Sequence, residues 1–172
     1  MRGVILLLFL CLLAPQVQAA DDRRVALVIA NGAYAAVPPL ANPHNDGKLV
    51  SDALKKAGFD TIDLRLDQGA AAFRETLAAF TKSASGADVA LIYYAGHGLE
   101  VDGVNWLIPV DAKADRDDSL AREAVDLDKL MVTLAGARMR VAILDACRDN
   151  PFAVSGGDGR TRALHRSMST MC

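Results

Sequence analysis

Apolar residues in this chain fall into short continuous runs separated by stretches with helical spacing. Val25 to Ala30 (VALVIA) is an unbroken apolar run that stops at Asn31-Gly32, as a strand buried on both faces should. A loop through Pro38-Pro39 leads to NPHNDGKLVSDALKKAG. There Leu49, Val50, Ala53, Leu54 and Ala57 predict one helical face, with Asn42 or Asn45 as N-cap and Gly58 as the stop. Phe59 to Leu64 (FDTIDL) alternates in polarity and predicts a second strand. A second helix follows over AAAFRETLAAFTKSA, with Phe73, Leu77 and Phe80 at helical spacing.

Asp88 to Tyr94 (DVALIYY) predicts the third strand. Asp102-Gly103 then sits between two apolar runs in LEVDGVNWLI, which predicts a hairpin. A helix around Leu127, Leu130, Met131 and Leu134 precedes a fourth strand, Arg140 to Ala146 (RVAILDA). Strands alternating with amphipathic helices predict an α/β fold, a sandwich built on a mainly parallel sheet with a small hairpin after the third strand.

The N-terminus changes the domain picture. MRGVILLLFLCLLAPQVQA combines Arg2, an apolar run from Val4 to Ala14 and small residues before Ala20, the pattern of a signal peptide over residues 1–19. The run is shorter than the ~20 residues that span a bilayer. No stable membrane span is expected after cleavage, and the product is expected to be exported, to the periplasm or the extracellular space. Residues 20–152 are then expected to form the folded domain, and the Gly-, Ser- and Arg-rich 153–172 is expected to be a flexible tail. Removing Arg2 takes the formal charge from −2 to −3, which favours neither nucleic acid nor an anionic membrane as partner. Cys147 and Cys172 are the cysteines beyond the leader, too few for a disulfide scaffold, so a hydrophobic core must hold the fold.

The chemistry gathers at two strand exits. Functional groups in parallel sheets collect beyond the carboxyl ends of the strands, where His97 follows the third strand and Cys147 the fourth. Neighbouring strands lie ~4.8 Å apart, so two such side chains can approach hydrogen-bonding distance. An imidazole can draw the proton from a thiol and later return it to a leaving amine. The amides of Gly98 and Cys147 are candidates for an oxyanion hole. A cysteine in an apolar strand is more often core than catalyst, but the neighbours Asp145, Arg148, Asp149 and Asn150 argue against burial. His44, His97, His165 and Cys147 show no metal-ligand spacing, so no metal or other cofactor is expected. Asp111, Asp115, Asp117 and Asp118 read as a solvated acidic loop; their spacing fits no calcium loop, although a calcium requirement stays open.

The ordered segments RVALVIANGAY, NPHNDGKLVSDALKKAGF, LIYYAGHGLE, NWLIPVDA and LDACRDNPF resemble the caspase-like cysteine peptidases, most closely their bacterial metacaspase or orthocaspase branch, from Arg24 to Phe152. The resemblance implies a caspase-like αβα sandwich and a cysteine endopeptidase acting on protein or peptide substrates, with His97 as general base and Cys147 as nucleophile. It also implies cleavage after Arg or Lys, with Asp145 helping to form the pocket for the basic side chain and Asp46, the acid of the pair that opens the first helix, playing a similar part. Asp46 could equally serve the helix dipole from the first turn. Members of that family continue into a second region that supplies further strands. Residues after Phe152 carry no strand-like run here, so one sheet edge is expected to lack neighbours and the substrate cleft to be incomplete. The alternative function is therefore a catalytically silent caspase-like domain that acts as a binding or regulatory module.

Overall fold

The computed structural model describes residues 22–113, 117–146 and 151, the side chains of residues 117 and 118 apart. A parallel sheet of four strands forms its centre: β1 (Arg24–Ala30), β2 (Thr61–Leu66), β3 (Val89–Ala95) and β7 (Met139–Asp145), in the order β2-β1-β3-β7. Between them run α1 (Pro43–Lys56), α2 (Ala70–Ala84), the short strands β4 (Gly98–Val101), β5 (Val104–Leu107) and β6 (Val125–Asp126), and helices α3 (Asp117–Glu123) and α4 (Leu127–Thr133). The αβα architecture expected from the sequence is the one observed.

The central strands β1 and β3 are buried almost throughout, which is why their sequences are unbroken apolar runs. Their alternate residues feed two clusters. Val25, Leu27, Ile29, Ile92 and Tyr94 pack against Phe73, Leu77 and Phe80 of α2 and Leu130 of α4. Ala26, Val28, Leu91 and Tyr93 pack on the other face against Val50 and Leu54 of α1. The expected face of α2 is thus the buried one.

The face of α1 differs from expectation. Leu54 is buried as expected, but Leu49 is 67% exposed, and Pro43 and Gly47 are buried in its place. The reason is a close approach: a Cβ on Gly47 would lie 2.8 Å from the Ala30 Cβ, so the helix meets β1 through a residue with no side chain. The helix N-cap is Asn42, one of the two candidates, and its carbonyl accepts from the Asn45 and Asp46 amides.

Strand limits shift slightly. β2 covers Thr61–Leu66 rather than 59–64, because Phe59 closes the end of α1 through its amide to the Leu54 carbonyl, and Asp60 instead ties to Arg24. β3 and β7 are displaced by one residue from the expected spans, in opposite directions. β7 forms one edge of the sheet, and Ile143 and Leu144 are 45% and 38% exposed, in line with an edge lacking neighbours among the described residues.

Two further corrections concern the segment after β3. The hairpin turns at Asp102-Gly103, where φ is 51° and 81°, as a two-residue turn with positive φ at both positions requires. It is not a lone hairpin, since β6 pairs with β5 to make a three-stranded antiparallel sheet. Nor is the acidic stretch a solvated loop throughout. α3 begins at Asp117, and the Asp111 carboxylate accepts from the Ala70 amide at 2.8 Å, capping α2 from a distant loop. Asp115 lies outside the described residues.

Candidate active site

β3 ends at Ala95, and the chain turns through Gly96 and His97 into β4. Only glycine fits at position 96. Its φ is +157°, and an added Cβ would lie 2.5 Å from the Tyr34 Oη and 2.7 Å from the Tyr94 Oη. Those two phenols hold the histidine backbone. The His97 amide donates to the Tyr34 hydroxyl at 2.7 Å, and the Tyr94 hydroxyl donates to the His97 carbonyl at 2.7 Å. Burial is the main influence raising the pKa of both phenols, and it holds them as neutral hydroxyls.

The His97 ring is fixed on two sides. The Tyr34 ring lies 4.5 Å away, tilted by 55°. The His97 Nε2 is 3.0 Å from the Pro38 carbonyl oxygen. A carbonyl can only accept, so Nε2 carries the proton and Nδ1 is the basic nitrogen. A second backbone bond, from the Ile108 amide to the His97 carbonyl at 3.1 Å, makes His97 and Ile108 a hydrogen-bonded pair. Bonded and non-bonded pairs alternate in an antiparallel ladder, so the next pair, Gly98 with Leu107, turns the Gly98 amide away from β5.

The loop after β1 is pinned by buried polar groups. Asn31 is fully buried; its Oδ1 accepts from the Gln68 amide at 2.8 Å and its Nδ2 donates to the Ile108 carbonyl at 3.3 Å. The Asp67 Oδ1 accepts from the Gly32 and Ala33 amides and lies 2.9 Å from the His44 Nε2. Burial alone would raise the Asp67 pKa, but the Ala33 and Gly32 amides and the His44 ring outweigh it and leave the carboxyl below its ordinary value.

A cavity of about 500 Å³ opens at the carboxyl ends of the strands, lined among others by Asn42, Asp46, Gly96, His97, Asp145 and Pro151. It sits where the order of the sheet reverses between β1 and β3, the usual crevice for a ligand in an open α/β sheet. Asp46 stands in the first turn of α1, and Asp145 ends β7. Three of the residues singled out in the sequence, His97, Asp46 and Asp145, therefore share one cavity. Gly98 follows directly as the first residue of β4. Cys147, with its amide, and Cys172 lie outside the described residues, as do the expected leader 1–19 and the expected tail 153–172. No group of His, Cys, Asp and Glu among the described residues could hold a metal ion, and no helix among them is long and apolar enough to cross a membrane.

Sequence reading missed the supports: Tyr34, Tyr94, Asn31, Asp67 and the Pro38 carbonyl. Their partners are distant in sequence, and only the polar NGAY that closes the first apolar run hinted at a built loop.

A parallel sheet sandwiched by helices, with a histidine fixed at one strand exit beside an acid-lined cavity, defines a caspase-like α/β domain. A model of the caspase domain matches residues 23–170, and the chain belongs to that family of peptidases. It is 31% identical over 129 residues to human (Homo sapiens) mucosa-associated lymphoid tissue lymphoma translocation protein 1. It is 32% identical over 132 residues to the homolog of that protein from Mus musculus. Each match covers 75% of this chain and 15% of the relative, so the chain spans a small part of the length of these relatives.

Proposed function

We propose that this domain is a cysteine endopeptidase with His97 as general base and Cys147 as nucleophile, cleaving after Arg or Lys. The observation that carries the dyad is the register of β3 on β7. Ala95 pairs with Asp145, so the two strands end side by side at the ~4.8 Å spacing of neighbouring strands, and His97 and Cys147 each follow two residues later in the sequence. In this reading Nδ1 of His97 takes the thiol proton, and the thiolate attacks the scissile carbonyl. The amides of Gly98 and Cys147 receive the oxyanion. The imidazolium then protonates the leaving amine, and water, deprotonated by His97, hydrolyses the thioester.

The basic specificity is supported by the two carboxylates, Asp46 and Asp145, that line one cavity, since a carboxylate binds guanidinium or ammonium through charge-assisted hydrogen bonds. The test is hydrolysis of peptide reporters ending in Arg, Lys or Asp. Arg and Lys reporters should be cut and Asp reporters spared, and Cys147→Ala or His97→Ala should abolish cleavage. Hydrolysis that survives Cys147→Ala overturns the dyad; preference for Asp overturns the pocket.

A second reading is a silent domain that binds rather than cuts, favoured by the exposed apolar edge at Ile143 and Leu144. A thiol-reactive peptide with a terminal basic residue separates the two, because rapid labelling of Cys147 requires the activated thiol. The apolar leader further supports export of the domain, which fractionation of expressing cells would test.

A further inference from the structure

We infer that Tyr93 is a positioning residue that sets the plane of the Asp145 carboxylate and so favours arginine over lysine in the cavity. The inference rests on the proposed basic-side-chain reading of that cavity. Tyr93 pairs with Ile143 in the β3–β7 ladder. Asp145 lies two residues further along β7, on the same face and diagonal to the ring. The Tyr93 hydroxyl donates to Asp145 Oδ2 at 3.0 Å.

The two partners are unequal in their freedom. Tyr93 is 5% exposed, and its ring is held among Val28, Leu54, Leu91 and Ala95. Asp145 is exposed, at the end of an edge strand. A carboxylate there has a broad terminal torsion, which the bond from the Tyr93 hydroxyl restricts. The rigid phenol therefore orients the mobile acid. Burial, then the bond to Asp145 and the negative charges of Asp145 and Asp46, raise the Tyr93 pKa, so the hydroxyl keeps its proton and acts as a donor.

Fixing the plane matters more for one basic side chain than for the other. Guanidinium is a planar fork that binds a carboxylate through two parallel bonds and needs its plane aligned, whereas ammonium is a point charge with rotatable donors. Each carboxylate oxygen accepts more than one bond, so the Tyr93 bond to Oδ2 leaves both oxygens able to receive the fork.

The experiment measures Kd for two peptides identical except for a terminal argininamide or lysinamide, in a Cys147→Ala background so that no cleavage intervenes. Tyr93→Phe keeps the ring and deletes the donor. The arginine peptide should weaken by about five- to tenfold and the lysine peptide by less than about twofold, as loss of a bidentate geometry predicts. Asp145→Asn should weaken both. If Tyr93→Phe weakens the two peptides equally, or neither, while Asp145→Asn weakens both, the hydroxyl is only a buried group finding a partner and this inference is overturned, with the basic pocket intact. If neither peptide binds, or Asp145→Asn leaves both affinities unchanged, the pocket reading falls and the inference falls with it. A melting curve of Tyr93→Phe separates lost stability from lost orientation, since instability cannot change the ratio of two affinities in one protein.

Discussion

The Tyr34 hydroxyl lies 2.7 Å from the His97 amide nitrogen while the Tyr34 ring sits 4.5 Å from the imidazole, so one side chain fixes both the backbone and the ring of the histidine. The same hydroxyl donates to the Ile108 carbonyl at 3.3 Å, which ties the β1 loop, the β3 exit and the small sheet together. His97 is therefore held by a buried residue that is not among those lining the cavity.

Tyr34→Phe should keep the ring contact and leave the His97 amide without its acceptor. An orphaned amide costs about 1–3 kcal/mol, which a urea unfolding midpoint would register. Because small displacements of a base are costly in rate, kcat should fall about tenfold with KM little changed. Unchanged stability would mean that water replaces the hydroxyl and that Tyr34 does not hold the loop.

Gly96 and Gly103 make a matched comparison. Both have positive φ, but a Cβ at 96 meets two hydroxyls within 2.7 Å, whereas nothing lies within 4 Å of one at 103. Gly96→Ala should destabilise by about 1–3 kcal/mol or more, through overpacking on top of backbone strain. Gly103→Asn should cost a few tenths, since Asn tolerates the turn conformation. Equal melting temperatures for the two variants would show that the tyrosine clasp gives way freely.

The elements legible in the sequence were those whose periodicity is set by burial alone. β1 and β3 are buried on both faces and read as continuous runs; Phe73, Leu77 and Phe80 place α2 on its core. His97 stood out because it closely follows a continuous apolar strand, where a parallel sheet gathers its functional groups. What escaped depended on tertiary partners. Gly47 carries no apolar signal yet forms the contact of α1 with the sheet, while apolar Leu49 faces out. β6 has two residues, too few for any period, and exists because β5 offers it an edge. The union of Asp46, Asp145 and His97 in one cavity came from resemblance, and local pattern could not have supplied it.

Asp111 supplies the cap that α2 lacks locally. Gly69 at its N-cap has no side chain to offer, and Asp111 reaches the Ala70 amide at 2.8 Å from the loop after β5. Asp111→Ala should cost about 1 kcal/mol, measured as a shift in denaturation midpoint. Asp111→Asn should recover most of it, because the amide oxygen can still accept. A variant equal to Asp111→Ala would assign the effect to charge at the helix terminus instead.

Asp67 should make the β1 loop sensitive to acid. Its φ of 50° puts Oδ1 where the Gly32 and Ala33 amides and the His44 ring converge, each at 2.9 Å. Burial opposes ionisation, but the Ala33 and Gly32 amides and His44 prevail, so the folded pKa lies below its ordinary value of 3.8. A carboxyl whose pKa is lowered on folding contributes stability that is complete above the unfolded value and disappears as pH falls through the folded one. Asp67→Asn should thus cost about 1–2 kcal/mol at pH 7, as loss of bonds to a charged acceptor predicts. The gap between the two proteins should narrow steadily as pH falls below the ordinary carboxyl value. The Pro38 carbonyl that holds the His97 Nε2 lies on the same loop, so cleavage should fail over the acid range in which the loop loosens. Urea unfolding of both proteins at stepped pH is the measurement. A gap that stays constant into strong acid would show that geometry at Asp67, rather than its charge, supports the loop.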